Sequence, residues 1–230
     1  MSIKKIIFVS LVFILVLASV LFALLFKKMY TPTEGRMIDM YEAPAKAVLV
    51  IDVQEDFSGH NGSKPILFPD VEPQIDSINR ISVNALRATM EVAYIRQVFE
   101  DNFFTRYFLK RAIEGQPGVE QDSRIKVINR NDFTKRISDA FSNPRLDEFL
   151  VSKRVDEIYL VGLDAAYCVY YTALGALNRG YKVTVVTDAV MTTRDMDKVL
   201  KKYKKHGISV TTTDELLSFI DSRSKQMQVR

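Results

Sequence analysis

Tryptophan is absent from this 230-residue chain, and it holds only one cysteine, Cys168, and two histidines, His60 and His206. A single cysteine excludes an internal disulfide, a cysteine-built zinc cage and an intramolecular thiol redox cycle, leaving a small core residue or one reactive thiol. The two histidines lack partners at metal-ligand spacing, so no catalytic metal is expected; His206 closes a run of lysines and reads as a basic helix end. Nine glycines and seven prolines are too few for long flexible linkers or a collagen-like repeat. Neither GxGxxG nor GxxxxGK[ST] occurs, which argues against phosphate-loop nucleotide binding, and no cofactor is expected. Charge of either sign is nearly balanced, 32 Lys and Arg against 28 Asp and Glu, so no basic face for nucleic acid is supported. The hydrophobic share of 47% suits one ordinary globular domain.

One long apolar run is present. Ile6 to Phe26 holds no charge, and only Ser10 and Ser19 are polar. At about 1.5 Å per residue such a helix spans the roughly 30 Å hydrocarbon core of a bilayer. Lys4, Lys5, Lys27 and Lys28 bracket it and place their charged heads at the two interfaces. A cleaved signal peptide fits less well, because the run exceeds the usual ~7 to 15 residues and no small-x-small site follows. The expectation is a single-pass anchor, residues 1–28, in contact with lipid through Ile6 to Phe26. The basic flanks oppose one another, giving only a slight lean toward a non-cytoplasmic domain. Residues 29–44 read as a short tether without periodicity, and the folded domain is expected at 45–230.

Within that domain, short β-branched runs alternate with segments of helical spacing. The strand candidates are Ala47–Ile51, Val92–Ile95, Lys126–Ile128, Ile158–Val161, Val183–Val186 and Ile208–Val210. Ile75, Ile78, Ile81, Leu86 and Met90, then Leu146, Phe149 and Leu150, then Val169, Thr172, Ala173, Ala176 and Leu177 mark helix faces. The fold class is α/β: a three-layer, doubly wound, mostly parallel six-stranded sheet with helices on both faces, preceded by one transmembrane helix. In such sheets ligands bind outside the carboxyl ends of strands. Asp52 ends the first run, where a carboxylate can serve as a general base or a metal ligand, with a helix or turn cap as the plain alternative. Cys168 follows the fourth run by a short turn and opens a helix, where unpaired N–H groups and the helix dipole favour thiolate; a small buried hydrophobe is the plain alternative.

Gly162 to Val169, with Tyr171-Thr172-Ala173, Ala176, Arg179-Gly180-Tyr181-Lys182-Val183 and Thr187-Asp188-Ala189, resembles the isochorismatase-like cysteine hydrolase superfamily. Asp52, Gln54, Asp56 and Phe57 are similar to its D-x-Q-x-D-F signature. Lys135 to Phe141 is similar to its lysine element, with Lys six residues before Phe. The resemblance implies an Asp-Lys-Cys triad of Asp52, Lys135 and Cys168, and an oxyanion hole from the backbone N–H groups of Asp164 and Cys168 beside a cis Leu163–Asp164 bond. It implies a small amide or carbamoyl substrate, Phe57 as a pocket wall and a dimer or larger assembly; Tyr167 joins the pocket by position. Asp164-Ala165-Ala166 departs from the family's commoner small residue followed by Thr-Asp, so a carboxylate there either hinders an oxyanion or selects a cationic group. The Asp-x-His element of the nicotinamidase branch is missing. The rival class is a catalytically silent, membrane-tethered binding or assembly module. Phe103, Phe104, Tyr107, Phe108 and Leu109 form an aromatic stretch that reads first as a buried stripe and otherwise as a lid, a subunit contact or a membrane-facing surface, and Asn61-Gly62-Ser63 matches a glycosylation sequon.

Overall fold

The structure, a computed structural model, describes residues 2–62, 67, 68 and 70–228. The chain runs α1 (Ile3–Met29), β1 (Ala45–Ile51), α2 (Glu72–Arg87), β2 (Glu91–Gln97), β3 (Asp132–Lys135), α3 (Pro144–Ser152), β4 (Val155–Leu163), α4 (Cys168–Leu177), β5 (Lys182–Met191), α5 (Met196–Lys205), β6 (Ser209–Thr211) and α6 (Thr213–Gln228). The six strands form one sheet in the order β3-β2-β1-β4-β5-β6, and every neighbouring pair is parallel.

Consecutive burial explains why β1 is central. Ala47 through Ile51 have no exposed surface, as a strand covered on both faces requires. Ala47, Leu49 and Ile51 pack on one side with Leu146 and Leu150 of α3, Val169 and Ala173 of α4 and Tyr203 of α5. Val48 and Val50 pack on the other with Ile75, Ile78 and Ile81 of α2 and Leu216 and Ile220 of α6. The result is the expected three-layer α/β architecture. Strand order reverses between β1 and β4, which makes the space beyond their carboxyl ends the topological switch point.

Two expectations are corrected. Lys126–Ile128 is not a strand: Val127 is 53% exposed, and the backbone here is satisfied by side chains. Asn79 Oδ1 accepts from Lys126 N–H, while Tyr94 Oη accepts from Ile128 N–H and donates to the Lys126 carbonyl. The third strand is β3, whose Asp-Phe-Thr-Lys sequence alternates in exposure as a short edge strand does. The aromatic segment is likewise no buried stripe. It forms one wide helical turn, Thr105–Leu109, and Phe103, Phe104, Tyr107 and Phe108 are all exposed. Of the helix-face residues, Leu86 also faces outward. The sequon falls in a turn where Glu55 accepts from Asn61, and Ser63 lies outside the described residues.

α1 extends three residues beyond the apolar run at each end, and none of its residues is buried. The segment after it is docked rather than free. Ser138 N–H donates to the Met29 carbonyl at 3.1 Å. Thr33 donates through both N–H and Oγ1 to Asp139 Oδ2, each at 2.7 Å. Arg179 donates to the carbonyls of Thr33 and Glu34, and Ile38 N–H donates to the Arg179 carbonyl. These bonds hold the 30–38 stretch as a strap across α4 and the turn before α3.

Candidate active site

Three strand ends converge at the switch point. Asp52 directly follows β1, Lys135 ends β3, and β4 runs into the turn that delivers Cys168 at the start of α4. β1 and β4 approach closely because residue 162 is glycine: its φ is +106°, and a Cβ there would lie 2.2 Å from the Ile51 carbonyl oxygen. Asp52 itself is left-handed, with φ +53°. Among non-glycine residues Asp and Asn tolerate that region best, and here it turns the carboxylate inward from the strand end.

Lys135 Nζ lies 2.8 Å from Asp52 Oδ2, 3.3 Å from Cys168 Sγ and 2.7 Å from Gln97 Oε1. The Lys135 and Asp52 side chains are 0% and 3% exposed. Asp52 Oδ1 is buried and makes no hydrogen bond of ordinary geometry among the described residues, while the carboxylate as a whole still interacts with the Cys168 thiol and the Gln97 backbone. Burial raises the Asp52 pKa, with Lys135 opposing that rise. Burial lowers Lys135, but the charges of Asp52 and Cys168 outweigh it and its pKa ends raised. Burial likewise pushes the Cys168 thiol up to about 12, Lys135 pulling it down and Asp52 pushing it further up. Burial and the Asp52 charge thus oppose the helix N-terminus and Lys135, which favour thiolate.

Leu163–Asp164 is a cis peptide. Neither the Asp164 nor the Cys168 N–H finds an acceptor among the described residues, as donors awaiting an oxyanion would be. The Asp164 carboxylate accepts from Ala166 N–H at 2.7 Å, so it is engaged by its own turn.

A cavity of about 200 Å³ opens over these groups, and Asp52, Phe57, Asp164, Tyr167 and Cys168 all border it. Residues that sequence reasoning missed also line it: Gln97, Phe99 and Ser138, with Met29 and Tyr30 from the end of α1. Gln97 was within reach of the strand-end rule, two residues past the expected end of β2. It accepts from Lys135 Nζ, donates to the Lys135 carbonyl and is clamped by Gln54 through its own N–H and carbonyl. Nothing in the sequence pattern pointed to Met29 or Tyr30. Among the described residues no group of three or more His, Cys, Asp or Glu is arranged to hold a metal. His206 caps α5 beside Tyr170, and His60 is exposed.

Buried Asp52 and Lys135 meet the half-buried Cys168 at the switch point of a parallel sheet, beneath the cavity. The comparisons agree at the level of family. The Isochorismatase domain profile matches residues 46–215, and the chain belongs to the isochorismatase family of hydrolases. It is 25% identical over 179 residues to the nicotinamidase of Escherichia coli, covering 63% of this chain and 82% of that one. An isochorismatase-like hydrolase from Alkaliphilus metalliredigens superposes with a TM-score of 0.68 at 23% identity, covering 76% of this chain and 98% of that one. The N-carbamoylsarcosine amidase of Thermoplasma acidophilum superposes at 0.63 with 25% identity, covering 74% and 97%.

Proposed function

We propose that the protein is a membrane-anchored cysteine hydrolase that cleaves a small amide or carbamoyl C–N bond through a thioester. The observation that carries this reading is the Lys135 ammonium set 2.8 Å from Asp52 Oδ2 and 3.3 Å from Cys168 Sγ at the floor of the cavity. Residues 1–28 form the anchor, 29–44 the tether and 45–230 the hydrolase domain. The side of the membrane that the domain faces leans only slightly to the non-cytoplasmic, and a homo-oligomer is in keeping with the family.

Substrate enters above Cys168, and Asp52 Oδ1 takes the thiol proton as Sγ attacks the carbonyl carbon. The high resting thiol pKa couples these two events, so nucleophile and acid appear together. The carbonyl oxygen gains negative charge and is held by the N–H groups of Asp164 and Cys168, with Lys135 stabilising the anionic pair. Collapse expels the amine, which receives the proton from Asp52. Water then loses a proton to Asp52 and attacks the thioester, releasing the acid and restoring the thiol. Phe57 and Tyr167 wall the pocket. The names of the E. coli nicotinamidase and of the carbamoylsarcosine amidase support an amide or carbamoyl substrate, and Asp164 sets a negative group at the rim that favours a neutral or cationic one.

The test is ammonia release from a panel of primary amides and N-carbamoyl amino acids by the detergent-solubilised full chain. Turnover is expected for at least one compound, falling by about a thousand-fold or more in Cys168→Ser. Stoichiometric binding without turnover across the panel would favour the silent binding module instead.

A further inference from the structure

We propose that the Cys168 pocket draws its substrate from the membrane surface, and that the preferred substrate is an amide with an apolar tail. The inference rests on the anchored-hydrolase reading and deepens it. A line of rings leads out of the apolar helix and into the site. Phe22 stacks on Phe26 at 6.3 Å, and Phe26 meets Tyr30 at 4.7 Å. Tyr30 meets Tyr167 at 5.6 Å and Tyr171 at 5.7 Å. Met29 and Tyr30 border the same cavity as Cys168.

The distance from lipid follows from chain geometry. Phe26 ends the uncharged run, and Tyr30 caps α1 one turn later, its N–H bonded to the carbonyls of Phe26 and Lys27. One turn is roughly 6 Å along the axis, and the headgroup zone on each side of the hydrocarbon core is about 5 to 8 Å deep. A spanning α1 therefore places Tyr30 among the headgroups, where tyrosine partitions well. The pocket cannot stand off from the surface, because the Ser138–Met29 and Thr33–Asp139 bonds hold the helix end to the domain. The second wall of the mouth has the same character. Phe99 borders the cavity, and the turn after it exposes Phe103, Phe104, Tyr107 and Phe108. A cavity of about 200 Å³ accommodates an amide head, and the aromatic line gives a tail a path from the acyl region to Cys168.

Two readouts test this in phosphatidylcholine nanodiscs holding the full chain, and neither needs turnover. A nitroxide on Tyr30→Cys in a Cys168→Ser background reports depth by oxygen against nickel-chelate accessibility. A headgroup-level value is expected, and bulk-water accessibility overturns the proposal. Alkylation of Cys168 at pH 9 by N-octyliodoacetamide is compared with iodoacetamide. The octyl reagent should react at least about tenfold faster, with that preference collapsing in Tyr30→Ala while iodoacetamide still labels. Equal rates in the unmodified protein overturn the proposal. Loss of the protein from the discs would instead count against the anchor and carry this inference down with it. Inactivity on the amide panel with a headgroup-level label and a tenfold octyl preference would sink the reaction but uphold the membrane route.

Discussion

Asp52 has two effects on Cys168 that oppose each other. Its negative charge disfavours the thiolate, while its Oδ1 is the acceptor that the thiol proton requires. Asp52→Asn removes both, so the thiol pKa should fall from about 12 toward the ordinary value of ~8.5 while amide turnover is lost. Iodoacetamide labelling against pH checks this: the variant should label faster than the unmodified protein at pH 8. Lys135→Gln should do the opposite, since removing the ammonium raises the thiol further and slows labelling. It also strands a buried carboxylate, a loss on the order of 3–5 kcal/mol, so its labelling must be read beside a denaturation midpoint. A variant pair that labels in the reverse order would refute the assigned electrostatics. Asp52, Lys135 and Cys168 were legible in the sequence because motif offsets name them one by one. The raised thiol pKa was not, because desolvation depends on what every neighbouring element covers.

The strap that follows α1 carries more structure than its composition suggests. Its residues lack periodicity, yet Asp139, fully buried at the turn before α3, accepts twice from Thr33 and once from Phe141 N–H. A hydrogen bond to a charged group contributes about 1.5–3 kcal/mol. Thr33→Val should therefore raise the exchange rates of the Thr33 and Ile38 amides by roughly tenfold or more, leaving strand amides such as Val50 unchanged. Uniform protection in both proteins would mean that the strap is held by other contacts. The aromatic turn makes a converse case. Three-to-four spacing suggested a buried face, but Thr105 is the residue turned inward, with its Oγ1 donating to the Glu100 carbonyl. Spacing describes which residues share a face and says nothing about whether that face is covered.

At the scale of the whole molecule, the sheet and the apolar helix meet through residues 29–38, and the site lies at that junction. If lipid holds α1, carbonate-washed membranes should retain the full chain. Replacing Leu15 and Leu17 by Arg adds about 6–8 kcal/mol to insertion and should lower the pelleted fraction. Retention unchanged by both arginines would show that the helix is not held by the bilayer. The family profile begins at residue 46, so the wall built from Met29 and Tyr30 lies outside the part of the chain that the profile describes.

The sequence by itself determined the parallel α/β sheet, because consecutive apolar runs such as Ala47–Ile51 are stable only when covered on both faces. It also named the three polar groups, because Asp52 and Cys168 follow such runs and Lys135 stands at a motif offset. It misplaced the third strand, because an edge strand such as Asp132–Lys135 buries one face and carries no apolar run. Only the tertiary structure decided that Gln97 braces Lys135, that burial pushes the Cys168 thiol pKa up, and that the end of α1 walls the cavity. Each of those depends on which distant residues are brought together and how much water they exclude, and neither quantity is encoded in local pattern.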